Sequence, residues 1–290
     1  MNKLIIILLI IIIFAKIFNY SKDYFNEDKK EINLILKGTF PIGNFMIILM
    51  NSIHVALFHK YNNIIIDNHR LINTNKIIIS TKENKIKKNI NKNSQDFFEK
   101  TKINENKEIF DKNKKETVNI LKRIFKIQDI KKYNNDDICI HIRGRDLFSK
   151  NPHPGYFTPP LDYYLHILNN NKFKNIYLVS EDKKNPLIDK LLKIYPDCKF
   201  KIQSLEEDVK LILGHQNIVF SIGTFLKSLM LISENAKVIY KPSYQSVFTD
   251  YYPNIKIINY DLEDYKKKIY PWKNTEEQRK LMIDYKLKKL

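Results

Sequence analysis

Four side chains able to carry charge or move a proton crowd into the stretch HIRGRD: His141, Arg143, Arg145 and Asp146. Two permanent guanidinium charges beside a carboxylate and an imidazole can grip an oxyanion and handle a proton. Two more polar groups follow apolar runs: Ser180–Asp182 after IYLV, and Ser221, Ile222, Gly223, Thr224 and Phe225 after NIVF. A Ser-Gly-Thr turn leading into a helix offers N–H groups and hydroxyls to an anion. Beside Arg143 it would form a cradle for a pyrophosphate. Each piece alone has a plainer reading. SIGTF is a helix N-cap, Asp146 pairs with Arg143 or Arg145 on the surface, and His141 is a satisfied core histidine. Their shared position at strand ends is what joins them.

The elements that must position these groups follow from hydrophobic patterning. Apolar runs predict strands at 138–143, 175–180, 199–202, 217–221, 237–240 and 255–259, with helices between them at 161–170, 186–195, 204–213 and 224–234. Such alternation predicts a parallel sheet wound on both faces, which binds ligands outside the carboxyl ends of its strands. Ser204 with Glu207 makes a capping box. A last helix starts near Thr275, with Asn274 and Glu277 as a second such box. Upstream, a strand is expected at 32–36, a loop at Gly38–Gly43, a buried helix at 44–60, and strands in NNIIIDN and NKIIIS. Residues 81–116 are rich in Lys, Asn and Glu and read as a solvated connection with Asp96–Phe98 as an ordered island; a helix over 116–127 follows.

Composition narrows the function classes. The chain of 290 residues carries a formal charge of +18. Its lysines are scattered and no aromatic stacking motif accompanies them, which argues against nucleic acid as partner and leaves a small phosphorylated ligand compatible. The two cysteines, Cys139 and Cys198, lie too far apart in sequence to suggest a disulfide framework. No C-x-x-C, H-E-x-x-H or D-x-D occurs, so no metal is expected. Leu4 to Ala15 is unbroken apolar sequence, and residues 4–18 fall slightly short of the about 20 residues that span a bilayer unless Lys16 snorkels. The small-residue pattern of a cleavage site is poor. An uncleaved signal anchor is therefore expected, giving a single-pass type II protein with its globular part in the ER or Golgi lumen or otherwise outside the cytoplasm.

The stretch HIRGRDLF is similar to the H-x-R-x-x-D motif of the fucosyltransferase superfamily, which includes α1,2-, α1,6- and protein O-fucosyltransferases. It resembles most a branch in which an HP-x-Y-x-x-PPL-x-YY segment follows, matched here by His153, Pro154, Tyr156, Pro159, Pro160, Leu161, Tyr163 and Tyr164. PIGNFMIILMNSIHVA resembles the amino-terminal G-x-G-N loop and helix, with Gly43 and Asn44 in place. SEDKKNP and DVKLILGHQNIVFSIGTF resemble later donor-site segments. The likeness spans most of residues 32–245 and is most specific over 138–164.

This resemblance implies a GT-B-like α/β fold of two Rossmann-like halves: 32–130, and a nucleotide-sugar-binding half at 131–270 holding a parallel sheet. An N-terminal hydrophobic anchor helix (1–20) and a stem (21–31) would precede them, and a C-terminal helix (271–290) would follow. It further implies GDP-fucose as donor, a glycan or glycoprotein as acceptor, no cofactor, and metal-independent inversion. Carried across, Arg143 would hold the β-phosphate, with His141 beside it in the donor site. Asn44, next to Gly43, would approach the donor from the other half. Asp208 would face the guanine, while Ser221, Gly223, Thr224 and Phe225 would hold phosphate and base. Many relatives carry a second Arg where this chain has Gly144, and some place a carboxylate base where it has Asn151–His153. Asp146 and His153 are then the candidates for accepting the acceptor's proton.

Overall fold

The computed structural model describes residues 30–38, 40–80, 86–93, 97 and 112–287. The chain divides into two compact units, residues 1–39 with 48–120 and residues 40–47 with 121–290. The expected anchor at 4–18 lies outside the described residues, and among those described no helix is long and apolar enough to cross a membrane.

The first unit is built on four strands: β1 (Lys30–Lys37), β2 (Asn63–Ile65), β3 (Lys76–Ile78) and β4 (Ile86–Asn93), in the order β3-β2-β1-β4. β1 runs parallel to β2 and β4, and β3 is antiparallel to β2. β4 corrects the expectation of a solvated connection over 81–116. Its register sets Asn89 beside Asn33, which in turn faces Asn63. The amides then bond in a row: Asn63 Nδ2 donates to Asn33 Oδ1 at 2.8 Å, and Asn33 Nδ2 to Asn89 Oδ1 at 3.0 Å. A strand rich in Asn and Lys is stabilised here by cross-strand pairing in place of apolar burial. Phe97 is buried, and its carbonyl accepts from Asn51 Nδ2.

Helix α1 (Ile42–Phe58) joins β1 to β2. It is apolar on nearly every face and almost wholly buried, as such a helix must be. The division between the units falls within it, so Ile42–Ile47 belong with the second unit. Helix α2 (Lys114–Ile124) leads into that unit.

The second unit holds strands β5 (Asp137–His141), β6 (Asn175–Val179), β7 (Lys199–Phe200), β8 (Asn217–Val219), β9 (Val238–Pro242) and β10 (Lys256–Tyr260). All six are parallel, in the order β10-β9-β8-β5-β6-β7. The intervening helices are α3 (Leu161–Asn170), α4 (Pro186–Ile194), α5 (Leu205–Gly214) and α6 (Phe225–Leu229), with α7 (Glu263–Ile269) and α8 (Glu276–Asp284) closing the chain. Ile138 and Ile140 point into a core with Tyr163, Tyr164, Ile167 and Leu187, while Cys139 and His141 take the other face. Each fully buried Ile or Leu among them contributes roughly 1.5–3 kcal/mol. The hydroxyl of Tyr163 donates to the Phe220 and Tyr240 carbonyls at 3.1 and 3.0 Å, tying α3 to the tops of β8 and β9.

Ser204 and Glu207 form the expected capping box on α5. On α8 the box is Thr275 with Gln278, one residue later than Asn274 and Glu277. Asn274 adopts φ +59 and donates to the Ser149 carbonyl, so its side chain is committed elsewhere. α6 ends at Leu229, well short of 234, because Leu231, Ile232 and Ser233 bond to carbonyls three residues back and tighten the chain out of the helix.

Candidate functional site

The carboxyl edge of the six-stranded sheet gathers the polar groups singled out by sequence. Arg143 leaves the tip of β5, and its guanidinium lies against the turn after β8: a Cβ built on Gly223 would sit 2.5 Å from Arg143 Nη1. Gly223 also adopts φ +107, a conformation that side chains with a Cβ rarely take. The fork of Arg143 is held from two sides. Nε and Nη2 donate to Asp146 Oδ1 and Oδ2 at 3.2 and 2.7 Å, and the Tyr156 ring lies under it, 4.7 Å from Cζ to centroid. The arginine is pre-aimed, with Nη1 toward the turn.

The turn itself is braced by a residue that sequence patterning missed. Gly223 N–H donates to Gln245 Oε1 at 2.9 Å, and Gln245 Nε2 donates back to the Gly223 carbonyl at 3.0 Å. This buried amide thus occupies both polar groups of the Gly223 peptide. Gly223 therefore shapes the cradle by its conformation and lack of a side chain, and its own N–H is already in use. The signal for Gln245 was present as a fourth polar stretch, SYQS, after the strand at 237–240.

Thr224 Oγ1 donates to Asn44 Oδ1 at 2.7 Å, which brings the start of α1 to the same turn. A Cβ on Gly43 would lie 2.7 Å from both Phe225 N and Thr224 Oγ1, so only glycine permits this approach. Phe225 lies beside the His141 ring, with centroids 5.4 Å apart. His141 is buried, and burial, aided by the Arg143 charge, lowers its pKa to about 3. It is a neutral imidazole with Nδ1 unpartnered. Ser221 is buried at the root of the turn, its hydroxyl beside that of Tyr164.

At the tip of β6, Asp182 Oδ1 accepts from the N–H groups of Arg145 and Lys184 at 3.2 and 3.0 Å. A Cβ at Gly144 would collide with that same oxygen. Gly144 is therefore imposed by the Asp182 carboxylate, and Arg145 is displaced outward into a left-handed backbone at φ +42. Asn185, another residue with no assigned part at the outset, donates to the Arg143 carbonyl at 3.0 Å and caps α4 through Leu187 N–H. Arg145 itself is exposed and faces Glu181 at 3.8 Å.

Asp208 lies apart from this cluster, in the first turn of α5. Burial pushes its carboxyl up to about 7, partly offset by a hydrogen bond from Gln203 and reinforced by the charges of Glu181 and Glu207. Glu181 is raised too, by partial desolvation against the opposing pull of Arg145, although about half of its side chain is exposed (51%). His153 is exposed; its Nδ1 accepts from Gly155 N–H at 3.1 Å, and its ring leans on Tyr156 at 4.7 Å.

The structure thus joins Gly43, Asn44, His141, Arg143, Asp146, Ser221, Gly223, Thr224 and Phe225 around one turn. His153 is linked to it through Tyr156, and Asp208 stands off along the edge. No cluster of three or more potential metal-ligating side chains occurs among the described residues.

Comparison with known proteins gives little further. The chain is similar to Escherichia coli heptosyltransferase WaaC, solved with ADP: 10% identity, 82% of this chain and 96% of that one covered, at a TM-score of 0.39. No protein-family model matches the chain, and no curated protein does so.

Proposed function

We propose that this chain is a glycosyltransferase of GT-B type that binds a GDP-sugar, with GDP-fucose as donor and a glycan or glycoprotein as acceptor. The observation that carries the reading is the contact of the Arg143 guanidinium with the Gly223 turn, where one diphosphate can meet both. The HIRGRDLF and HP-x-Y-x-x-PPL-x-YY segments supply the choice of fucose.

Transfer breaks the bond between the anomeric carbon and the β-phosphate and leaves negative charge on the departing diphosphate. A preorganised cation there stabilises the transition state more than the ground state. Arg143 is given that role. Asp146 and Tyr156 hold the fork so that no reorientation is needed when charge develops. Asn44, through Thr224, fixes the turn, and Asp208 is assigned to the guanine edge.

For the acceptor's proton we favour Asp146 over His153. The Nδ1 atom of His153 accepts a hydrogen bond, so the neutral ring carries its proton on Nε2, the nitrogen left to face a substrate. Asp146 has both oxygens on Arg143 but keeps outer lone pairs, since a carboxylate offers about four acceptor sites. A slow Asp146→Asn beside an active His153→Gln is the expected pattern; the reverse assigns the proton to His153. Membrane attachment through residues 4–18 belongs to the same proposal.

The test is thermal stabilisation of the purified full-length chain by GDP against ADP, UDP and CDP, followed by GDP-fucose hydrolysis. Stabilisation by GDP above the others, with release of fucose, is the expected result. Equal effects of all four nucleotides would sink the reading. GDP selectivity without turnover would turn it into a binding protein.

A further inference from the structure

Lys227 sits on α6 one helical turn beyond Thr224, on the same face of the helix. Its ammonium donates to Ser246 Oγ at 3.2 Å and lies over the Phe248 ring at 5.1 Å. No carboxylate among the described residues pairs with it, and burial alone lowers its pKa. A cation taken part-way out of water with only a hydroxyl and a ring face for company is costly, unless an anion arrives to offset the loss. Ser246 is exposed, so the group remains open to solvent on one side. The neighbouring Lys241 also lacks a carboxylate, but its ammonium is used within the protein, donating to the Gln245 and Pro242 carbonyls at 2.7 and 3.4 Å. Lys227 instead reaches only the Ser246 hydroxyl and the Phe248 ring face.

Strand order says what kind of anion fits. Along the edge the strands run β9-β8-β5-β6. Glu181, which couples to Asp208, follows β6; Arg143 follows β5; the Gly223 turn follows β8; Ser246 follows β9. A donor with its base near Asp208 and its diphosphate between Arg143 and Gly223 points its sugar end toward β9. The group beyond that point belongs to the acceptor.

We propose that Lys227, Ser246 and Phe248 form a second anion subsite that takes a carboxylate or phosphate substituent on the acceptor sugar. This rests on the transferase reading given above. The probes are 4-nitrophenyl β-D-glucuronide against the matching glucoside, and glucose 6-phosphate against glucose, each titrated calorimetrically into the full-length chain with and without GDP. At least one anionic probe should bind about tenfold tighter than its neutral counterpart, equivalent to roughly 1.4 kcal/mol. Lys227→Met should abolish that preference and Lys227→Arg should keep it. The proposal is overturned if neither anionic probe is preferred, or if the preference survives Lys227→Met. It is also overturned if that substitution weakens GDP as much as the anionic probe, which would place Lys227 in the diphosphate site. Failure of GDP to bind the wild-type chain, with the anionic preference and its loss in Lys227→Met intact, would remove the transferase reading alone.

Discussion

Asp146 and Asp208 stand at the same sheet edge and have been given opposite surroundings. Asp146 is half exposed, its side chain retaining 52% of its accessible surface, and both oxygens receive the Arg143 fork. Asp208 is buried, has two other carboxylates for neighbours, and is pushed up to about 7. The first has a cation bonded to it and water near. The second holds its proton until neutrality because neither is available. One edge thus presents a fixed positive fork and, apart from it, a carboxyl that can be either donor or acceptor.

The sharpest way to break this comparison is to remove the fork. Arg143→Ala should lower turnover at least on the order of a hundredfold, since one preorganised donor is worth about 2.7–4 kcal/mol in the transition state. Arg143→Lys should recover only part, because a point charge cannot bond Asp146 bidentately and still face the turn. Normal turnover by a folded Arg143→Ala protein would refute the role. Next in size is Gly223→Ala. The added carbon would press on Arg143 Nη1 at 2.5 Å in a backbone with φ +107. The expected outcome is about tenfold weaker GDP binding, with strain of order 1–3 kcal/mol read in thermal unfolding. Unchanged GDP affinity would mean that the arginine and the turn do not share a ligand. Gln245→Leu leaves the Gly223 peptide unpaired and should cost about 1–3 kcal/mol of stability. Its KM for donor should rise more than its kcat falls, because the turn is loosened while Arg143 stays.

Much of this edge could be read from sequence. The apolar runs ahead of His141, Ser180 and Ser221 place those residues at strand tips, and position alone brought Arg143 to the Gly223 turn. What escaped reading has a common cause. Gln245 acts through side chain to backbone bonds across 22 residues, and no local pattern encodes those. Gly144 looked like a loss of charge, and it became intelligible only with Asp182 in the space a side chain would need. β4 was hidden because Asn33, Asn63 and Asn89 stabilise it by amide pairing, whereas hydrophobic alternation is what reveals strands.

The smallest effect expected tests the other carboxylate. Asp208 has a native pKa near 7 against an ordinary 3.8, so between those limits the folded chain holds a proton that the unfolded chain has lost. Its contribution is favourable below about pH 4, is lost as pH rises toward 7, and is constant above that. Asp208→Asn should therefore raise the melting temperature at about pH 8, by roughly 2–4 °C per kcal/mol recovered, and leave it unchanged at about pH 4. Nucleotide binding should move the other way. The guanine edge offers two N–H donors, which a carboxylate accepts and a carboxyl or amide accepts less well. Wild-type affinity for GDP should then strengthen as pH rises through 7, and Asp208→Asn should flatten that dependence. A variant with the wild-type melting profile at both pH values would show that Asp208 is not desolvated. A stability gain without any change in GDP affinity would keep the carboxyl buried and take it out of the base site.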